Sequence, residues 1–121
     1  MKVKVSSLTG QALDWAVSQA EGNVKLQYDS REGLVISNIL GWIPYRPSVA
    51  WVQGGPIIER ERITISTNCP QGWVARLASG VSGVVTRSAT GPTPLVAAMR
   101  CYVASKLGEE INIPEEIGNE G

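Results

Sequence analysis

Residues 93–108 read TPLVAAMRCYVASKLG and carry the clearest structural signal in the chain. Thr93 is a favourable N-cap, Pro94 suits the first helical position, and Gly108 suits a helix end. The apolar side chains between them recur at helical spacing, at Leu95, Ala98, Met99, Tyr102, Val103 and Leu107. This pattern predicts a C-terminal helix whose apolar stripe must be covered by other parts of the chain.

The residues before this helix alternate between helical and strand patterns. A short strand is predicted over residues 2–5, followed by an amphipathic helix over 9–20 with Thr9 as its cap and Gly22 at its end. Residues 24–28 and 34–40 predict one hairpin, and residues 73–77 and 81–86 predict a second hairpin about Ser79 and Gly80. Residues 41–56, interrupted by Pro and Gly, predict an ordered loop, and residues 57–67 predict a strand.

These elements predict an α+β fold in which a small, mostly antiparallel sheet packs against an N-terminal and a C-terminal helix. At 121 residues, the chain is long enough for one domain. We expect that domain to span residues 1–108, and we expect the acidic residues 109–121 to form an extended arm or a loose tail.

The composition excludes several classes of chemistry. The chain has no histidine, which removes the Ser-His-Asp and Cys-His catalytic arrangements and imidazole metal sites. Eleven basic and eleven acidic residues balance, so binding to nucleic acid is not favoured. Cys69 and Cys101 lack metal-site spacing and are expected to stay reduced. With neither a signal peptide nor a membrane span recognisable, we expect a cytoplasmic protein without cofactor or metal.

The run from Trp51 to Glu61 is the first candidate site. Its adjacent Gly54 and Gly55 could bring backbone amides close to a ligand, with Trp51 beside them. The alternative, that Gly-Gly-Pro only makes a turn before a strand, remains open. In a strand, Glu59 and Glu61 would share one face, and a solvated face is favoured over acid–base chemistry.

The start of the C-terminal helix is the second candidate, because free amides there suit an anion that Arg87 and Arg100 could assist. A plain N-cap at Thr93 is the favoured alternative. Stacking against Trp42, Tyr45, Trp51 or Trp73 is the third candidate. We expect Trp15 and Trp73 to face the core, and Tyr45 and Trp51 to lie at the surface. The candidate ligand-binding residues are Tyr45, Arg46, Trp51, Gln53, Gly54, Gly55, Pro56, Ile57, Glu59, Arg87, Thr93 and Arg100.

Several blocks of the sequence resemble a known family. They are residues 1–5, 8–17, 45–48, 51–61 (WVQGGPIIERE) and 91–108, and together they are similar to the NinX family of small phage and prophage proteins. The resemblance implies a phage origin, an accessory role and a setting in the host cytoplasm. It transfers no catalytic residue.

Composition and resemblance together lead us to expect a binder that is not an enzyme. One hypothesis is a sponge that sequesters a nucleotide immune signal of the host without cleaving it. The alternative is a module that binds a host or phage protein through the aromatic segment 42–56. A concave pocket would favour the first and a flat aromatic patch the second. We also expect a homo-oligomer.

Overall fold

The computed structural model describes residues 2–22, 25–38, 41–68, 72–78, 85–115 and 117. Its elements, in chain order, are β1 (Lys2–Lys4), a 3-10 turn (Val5–Ser7), α1 (Gly10–Glu21), β2 (Leu26–Asp29), β3 (Gly33–Asn38), β4 (Gly41–Pro44), α2 (Trp51–Glu61), β5 (Thr64–Asn68), β6 (Gly72–Ala78), β7 (Val85–Gly91), α3 (Pro94–Leu107) and β8 (Glu110–Asn112). The predicted α+β class is confirmed.

The strands within the described residues form three small antiparallel sheets, where one sheet was predicted. Strands β2, β3 and β4 make one sheet, β5, β6 and β7 make the second, and β1 pairs with β8. The first predicted hairpin is present as β2–β3. For the second, β6 pairs antiparallel with β7, but β7 begins at Val85 and continues to Gly91, beyond the predicted span 81–86. Residues 79–84, which include the predicted turn, lie outside the described residues.

The centre of the fold is α3, which is buried around its circumference from Leu95 to Val103, except at Arg100. Its buried residues are Leu95, Val96, Ala97, Ala98, Met99, Cys101, Tyr102 and Val103. Strands β6 and β7 pack on it, as do α1 and α2. A Cβ on Gly91, at the end of β7, would lie 2.8 Å from the backbone nitrogen of Ala97. Glycine is therefore needed where this strand meets the helix.

The predicted N-terminal elements are present with one correction. Strand β1 and helix α1 match the predicted spans, and Gly22 ends α1 in the left-handed region with φ 85°. The Thr9 side chain, however, makes no capping hydrogen bond. The first turn of α1 is held instead by backbone bonding, in which the Leu13 N–H donates to the carbonyl of Thr9.

The predicted loop over 41–56 and the start of the predicted strand over 57–67 are wrong. Residues 41–44 form β4, and the run WVQGGPIIERE is helix α2, so the strand begins only at Thr64. Gly and Pro are poor helix residues, and Pro56 lacks the N–H that would bond to the carbonyl of Val52. Tertiary packing overrides this local preference, because Ile57 is buried against the core.

The approach between α2 and its neighbours requires Gly54. A Cβ there would lie 2.4 Å from the carbonyl oxygen of Pro47 and 2.7 Å from Cδ2 of Leu95. At Gly55 the nearest atom would be Cε3 of Trp51 at 3.8 Å, an ordinary contact. The first glycine therefore serves packing, and the second relieves the steric restriction that Pro56 places on the residue before it.

The acidic C-terminal segment is partly anchored. Strand β8 pairs antiparallel with β1, from Lys2 opposite Asn112 to Lys4 opposite Glu110. Beyond it, Ile113 and Ile117 are buried in the main core. The division of the chain at residue 108 stays a prediction, but the described part of the arm is packed against the domain.

One carboxyl group lies inside the fold. Asp14 of α1 is buried, and its Oδ1 accepts a hydrogen bond of 2.8 Å from the N–H of Ser48. Burial raises the pKa of Asp14 to about 6, against the opposing effects of the Ser48 hydrogen bonds and the charge of Arg46. The carboxyl thus fixes the turn that leads into α2 and carries a buried charge at neutral pH.

We predict that Gly54→Ala destabilises the protein by about 2 kcal/mol or more, because a Cβ must displace a backbone carbonyl and the Leu95 side chain. Gly55→Ala is the matched control. In Gly55→Ala, the higher helix propensity of alanine stabilises the protein and the clash with Pro56 destabilises it. These opposing effects on the free energy of unfolding are each about 1 kcal/mol or less. Urea unfolding measures both variants, and equal losses of stability would contradict the packing role of Gly54.

We predict that Asp14→Asn removes a pH dependence of stability. The folded pKa of Asp14 lies above the unfolded value, so its contribution is full below about pH 4 and is lost as the pH rises through about 6. Relative to the wild type, the variant should therefore gain up to about 3 kcal/mol in free energy of unfolding between these limits.

The control for this experiment is Asp14→Ala, which leaves the Ser48 N–H without its acceptor and should destabilise at every pH. Urea midpoints of the three proteins, compared at acidic and neutral pH, test the assignment. A constant difference between wild type and Asp14→Asn at all pH values would show that Asp14 does not titrate in this range.

Candidate functional site

The turn before α2 is held by the side chain of Gln53. Its Oε1 accepts a hydrogen bond of 2.6 Å from the Arg46 N–H, and its Nε2 donates to the carbonyl of Pro44 at 2.8 Å. Gln53 was predicted to contact a ligand, but its amide is already engaged by the chain itself. The Arg46 side chain remains exposed.

The rings predicted for stacking are divided between the surface, where Trp42 and Trp51 are exposed, and the core, against which Tyr45 and Trp73 pack. Tyr45 was expected at the surface, but it is 6% exposed and belongs to the core, where its N–H donates to the carbonyl of Leu34. The tyrosine follows β4 directly, and this backbone bond continues the pairing with β3 and turns its ring inward. Trp15 and Trp73 are partly buried and pack against the core, as predicted.

Three apolar side chains at the start of α2 face solvent. Val49 is 65% exposed, Trp51 55% and Val52 83%. A groove of about 320 Å³ runs beside them, lined by Ser48, Val49, Trp51, Thr93, Pro94 and Leu95. We call these exposed side chains and their groove the Trp51 patch. The exposure predicted for Trp51 is confirmed, and its neighbours make the surface apolar.

The N-terminus of α2 has no side-chain cap. Its N-cap residue is Ala50, which offers no side-chain acceptor, and the first turn contains no acidic residue. The amides of Gln53 and Gly54 bond back to the Ala50 carbonyl. The positive end of this helix dipole therefore lies next to the Trp51 patch without a compensating negative charge in its first turn.

The start of α3 was predicted to be either an anion site or a plain N-cap, and Thr93 forms the N-cap. The Oγ1 of Thr93 accepts a hydrogen bond of 3.1 Å from the Val96 N–H, with Pro94 at the first helical position. Thr93 lines the groove beside Trp51, whereas Arg87 and Arg100 line a different cavity. The three residues predicted to form one anion site are therefore divided between two surfaces.

The second cavity is a cleft of about 670 Å³ between β1, β7, α3 and the start of β8. Its lining residues are Lys4, Val5, Ser6, Arg87, Ser88, Ala89, Arg100, Ala104, Glu109 and Glu110. We call this cavity the basic cleft, because three cationic side chains meet two carboxylates there. Lys4 was not among the predicted site residues, since it lies far from Arg87 and Arg100 along the chain.

The two arginines of the basic cleft differ in their partners. Arg87 Nη1 lies 3.2 Å from Oε2 of Glu109, whose side chain is 82% exposed. Arg100 donates from Nε to the carbonyl of Leu8 and from Nη1 to that of Thr90, at 2.8 and 2.9 Å. Among the described residues, no carboxylate forms a salt bridge with Arg100. Partial burial lowers the pKa of its guanidinium, which nevertheless stays charged.

The acidic pair predicted on one strand face lies on α2 instead. Glu59 is exposed, while Glu61 accepts a hydrogen bond of 2.9 Å from Nε of Arg60 and lies 3.9 Å from Nζ of Lys106. Arg60 also donates to Glu21, and the buried Tyr102 hydroxyl donates to the same carboxylate. These contacts fasten the end of α1 and α2 to α3.

This charged cluster was not predicted from the sequence. Burial of Glu21 raises its pKa, but the hydrogen bonds from Arg60 and Tyr102 outweigh that effect and lower it overall. Arg60 also lies over the Tyr102 ring, 5.7 Å from its centroid. The sequence placed Arg60 and Glu61 on a predicted strand, and it gave no sign of the contact with Glu21, which joins residues 39 positions apart.

The remaining predictions concern thiols and membranes. Cys101 is a buried free thiol, and burial raises its pKa to about 11, which makes it unreactive. Cys69 lies outside the described residues. Within the described part of the chain, no helix has the length and apolar character needed to cross a bilayer.

Comparison with known proteins agrees with the resemblance seen in the sequence. No curated protein shows a significant match to the chain. The model of the family Phage_P22_NinX, described as Bacteriophage P22, NinX, matches residues 4–106. That range includes α1, α2 and nearly all of α3, together with the Trp51 patch and most of the lining of the basic cleft. The chain therefore belongs to the NinX family of phage proteins.

Proposed function

We propose that this phage protein acts by binding and not by catalysis, and that its main partner is a protein docked at the Trp51 patch. The observation that carries this proposal is the outward exposure of Val49, Trp51 and Val52 on one short stretch. Large apolar side chains that are clustered at a surface mark interaction sites, and tryptophan contributes strongly to binding energy at their centres.

The chemistry around the patch indicates the kind of segment that fits it. The groove beside Trp51 accepts an apolar side chain, with Pro94 and Leu95 on its wall. Exposed Arg46 and the uncapped amides of α2 lie nearby and favour negative charge. We therefore propose that the partner presents an apolar side chain next to an Asp, a Glu or a C-terminal carboxylate. The host cytoplasm is the expected setting.

The double variant Trp51→Ala, Val52→Ser should bind this partner with an affinity lower by about tenfold or more, because both residues would lie at the centre of the interface. The protein is expressed in host cells and cross-linked to its neighbours there. Mass spectrometry then identifies the captured proteins and the residues that the cross-links join. Tyr28→Ala, which removes a ring of similar exposure from β2, is the matched control.

Three outcomes of this experiment would contradict the proposal. One is a partner that the double variant retains, and another is an equal loss with Tyr28→Ala. The third is capture of a second copy only, with a dimer in size-exclusion chromatography that the double variant abolishes. That result would assign the patch to self-association, which the sequence also led us to expect.

Retention of a nucleotide-type ligand without cleavage is the second candidate function. The basic cleft favours it, because its volume is that of a typical ligand pocket and Lys4, Arg87 and Arg100 line it. The aromatic segment 42–56 does not support it, since Tyr45 is buried and both glycines lie within α2.

If the protein sequesters such a ligand, it should bind an adenine-containing cyclic nucleotide or an ADP-ribose derivative and release it intact on denaturation. Isothermal titration across a panel of these compounds, followed by chromatography of the released ligand, measures both properties. Absence of heat with every compound would contradict sequestration, and a cleaved product would contradict a role without catalysis.

A further inference from the structure

Arg100 is a cationic side chain that lines the basic cleft. Its guanidinium is partly buried and donates to two backbone carbonyls, those of Leu8 and Thr90. Carbonyls satisfy the N–H groups but do not neutralise the charge, and no carboxylate of the described residues forms a salt bridge with it. A partly desolvated charge of this kind is costly unless an opposite charge approaches it.

The other cations of the basic cleft are also available. Within the described residues, Lys4 forms no salt bridge, although it lines the cleft beside the 3-10 turn. Arg87 forms a salt bridge with Glu109, a highly exposed carboxylate. Exposed ion pairs of this type contribute at most about 1 kcal/mol, so a ligand with higher charge can displace the carboxylate.

The carboxylates of the cleft do not cancel these charges. Among the described residues, the Glu109 carboxylate forms a salt bridge with Arg87 alone, and that of Glu110 lies 3.9 Å from Nζ of Lys2, a residue that does not line the cleft. Three cations therefore face two carboxylates, one of which is directed elsewhere. The balance favours a compact anion of more than one charge over a neutral ligand.

We propose that the basic cleft is a binding site for a phosphate-bearing small molecule, held by Lys4, Arg87 and Arg100, and that Glu109 occupies Arg87 until the phosphate displaces it. Phosphate offers several oxygens to guanidinium groups in charge-assisted hydrogen bonds, which are stronger than neutral ones. Val5, Ala89 and Ala104 supply apolar surface for the rest of the ligand. This site is separate from the Trp51 patch, and any phosphate ester of suitable size would satisfy the inference, whether or not the protein sequesters a host signal.

The experiment titrates the full chain with AMP, inorganic phosphate and adenosine, using NMR shifts and calorimetry. AMP should bind, with an affinity that falls as salt rises, and adenosine should not. Lys4→Gln and Arg87→Gln should each weaken AMP binding by about threefold to fivefold, as expected for single exposed charges. Both residues are at the surface, so these variants should keep the fold.

Glu109→Gln tests the displacement directly, because it removes the carboxylate that competes with phosphate for Arg87. It should tighten AMP binding by about threefold, a gain that loss of structure cannot produce. Arg31→Gln, in the exposed β2–β3 turn, is the matched control for lost positive charge and should change nothing. Trp51→Ala should also leave AMP binding unchanged, which separates this site from the protein-binding proposal.

Several results would overturn the site. They are no binding of any phosphate compound, equal binding of AMP and adenosine, and an Arg31→Gln loss as large as that of Arg87→Gln. Weaker AMP binding by Glu109→Gln would also contradict displacement. Inorganic phosphate that binds as tightly as AMP supports the site and assigns it to the free anion, and tighter binding of AMP supports it and assigns it to an ester.

Discussion

The burial of α3 from Leu95 to Val103 is the constraint on which the rest of the structure depends. A helical segment that is apolar on nearly every side must be surrounded, and here strands β6 and β7, helices α1 and α2 and the C-terminal arm surround it. Both candidate surfaces are consequences of this arrangement. The first turn of α3 forms one wall of the groove at the Trp51 patch, and its later turns contribute Arg100 and Ala104 to the basic cleft.

Helix α2 shows how packing and surface chemistry are linked. Its close approach to Pro47 and Leu95 is possible only because residue 54 has no side chain. Once the helix is seated there, Ile57 faces inward and Trp51 and Val52 face solvent. The turn that precedes it is fixed by Gln53 and by the buried carboxyl of Asp14. These hydrogen bonds therefore fix the turn from which Val49 and Trp51 project into solvent.

The two surfaces differ in shape and charge, and both lie largely within the residues that the family model matches. The Trp51 patch is apolar with positive charge at its edge, whereas the basic cleft is concave and lined by cations of three separate elements. Because the chain has no histidine, neither surface offers an imidazole base or metal ligand.

From the sequence alone, helical spacing and caps were sufficient for α1 and α3, and alternation with turn residues was sufficient for the two hairpins, because these signals are local. The phage family was also evident from contiguous residues. Helix α2 was not predicted, because Gly-Gly-Pro disfavours a helix locally. Only the tertiary contact with Pro47 and Leu95 shows that Gly54 is required for packing. The surface position predicted for Tyr45 was wrong, and the burial of Asp14 was not predicted, because both depend on contacts with residues distant along the chain. Only tertiary structure brought Lys4 to Arg87 and Arg100, or Glu21 to Arg60 and Tyr102, since charges distant along a chain meet through the packing of the elements that carry them.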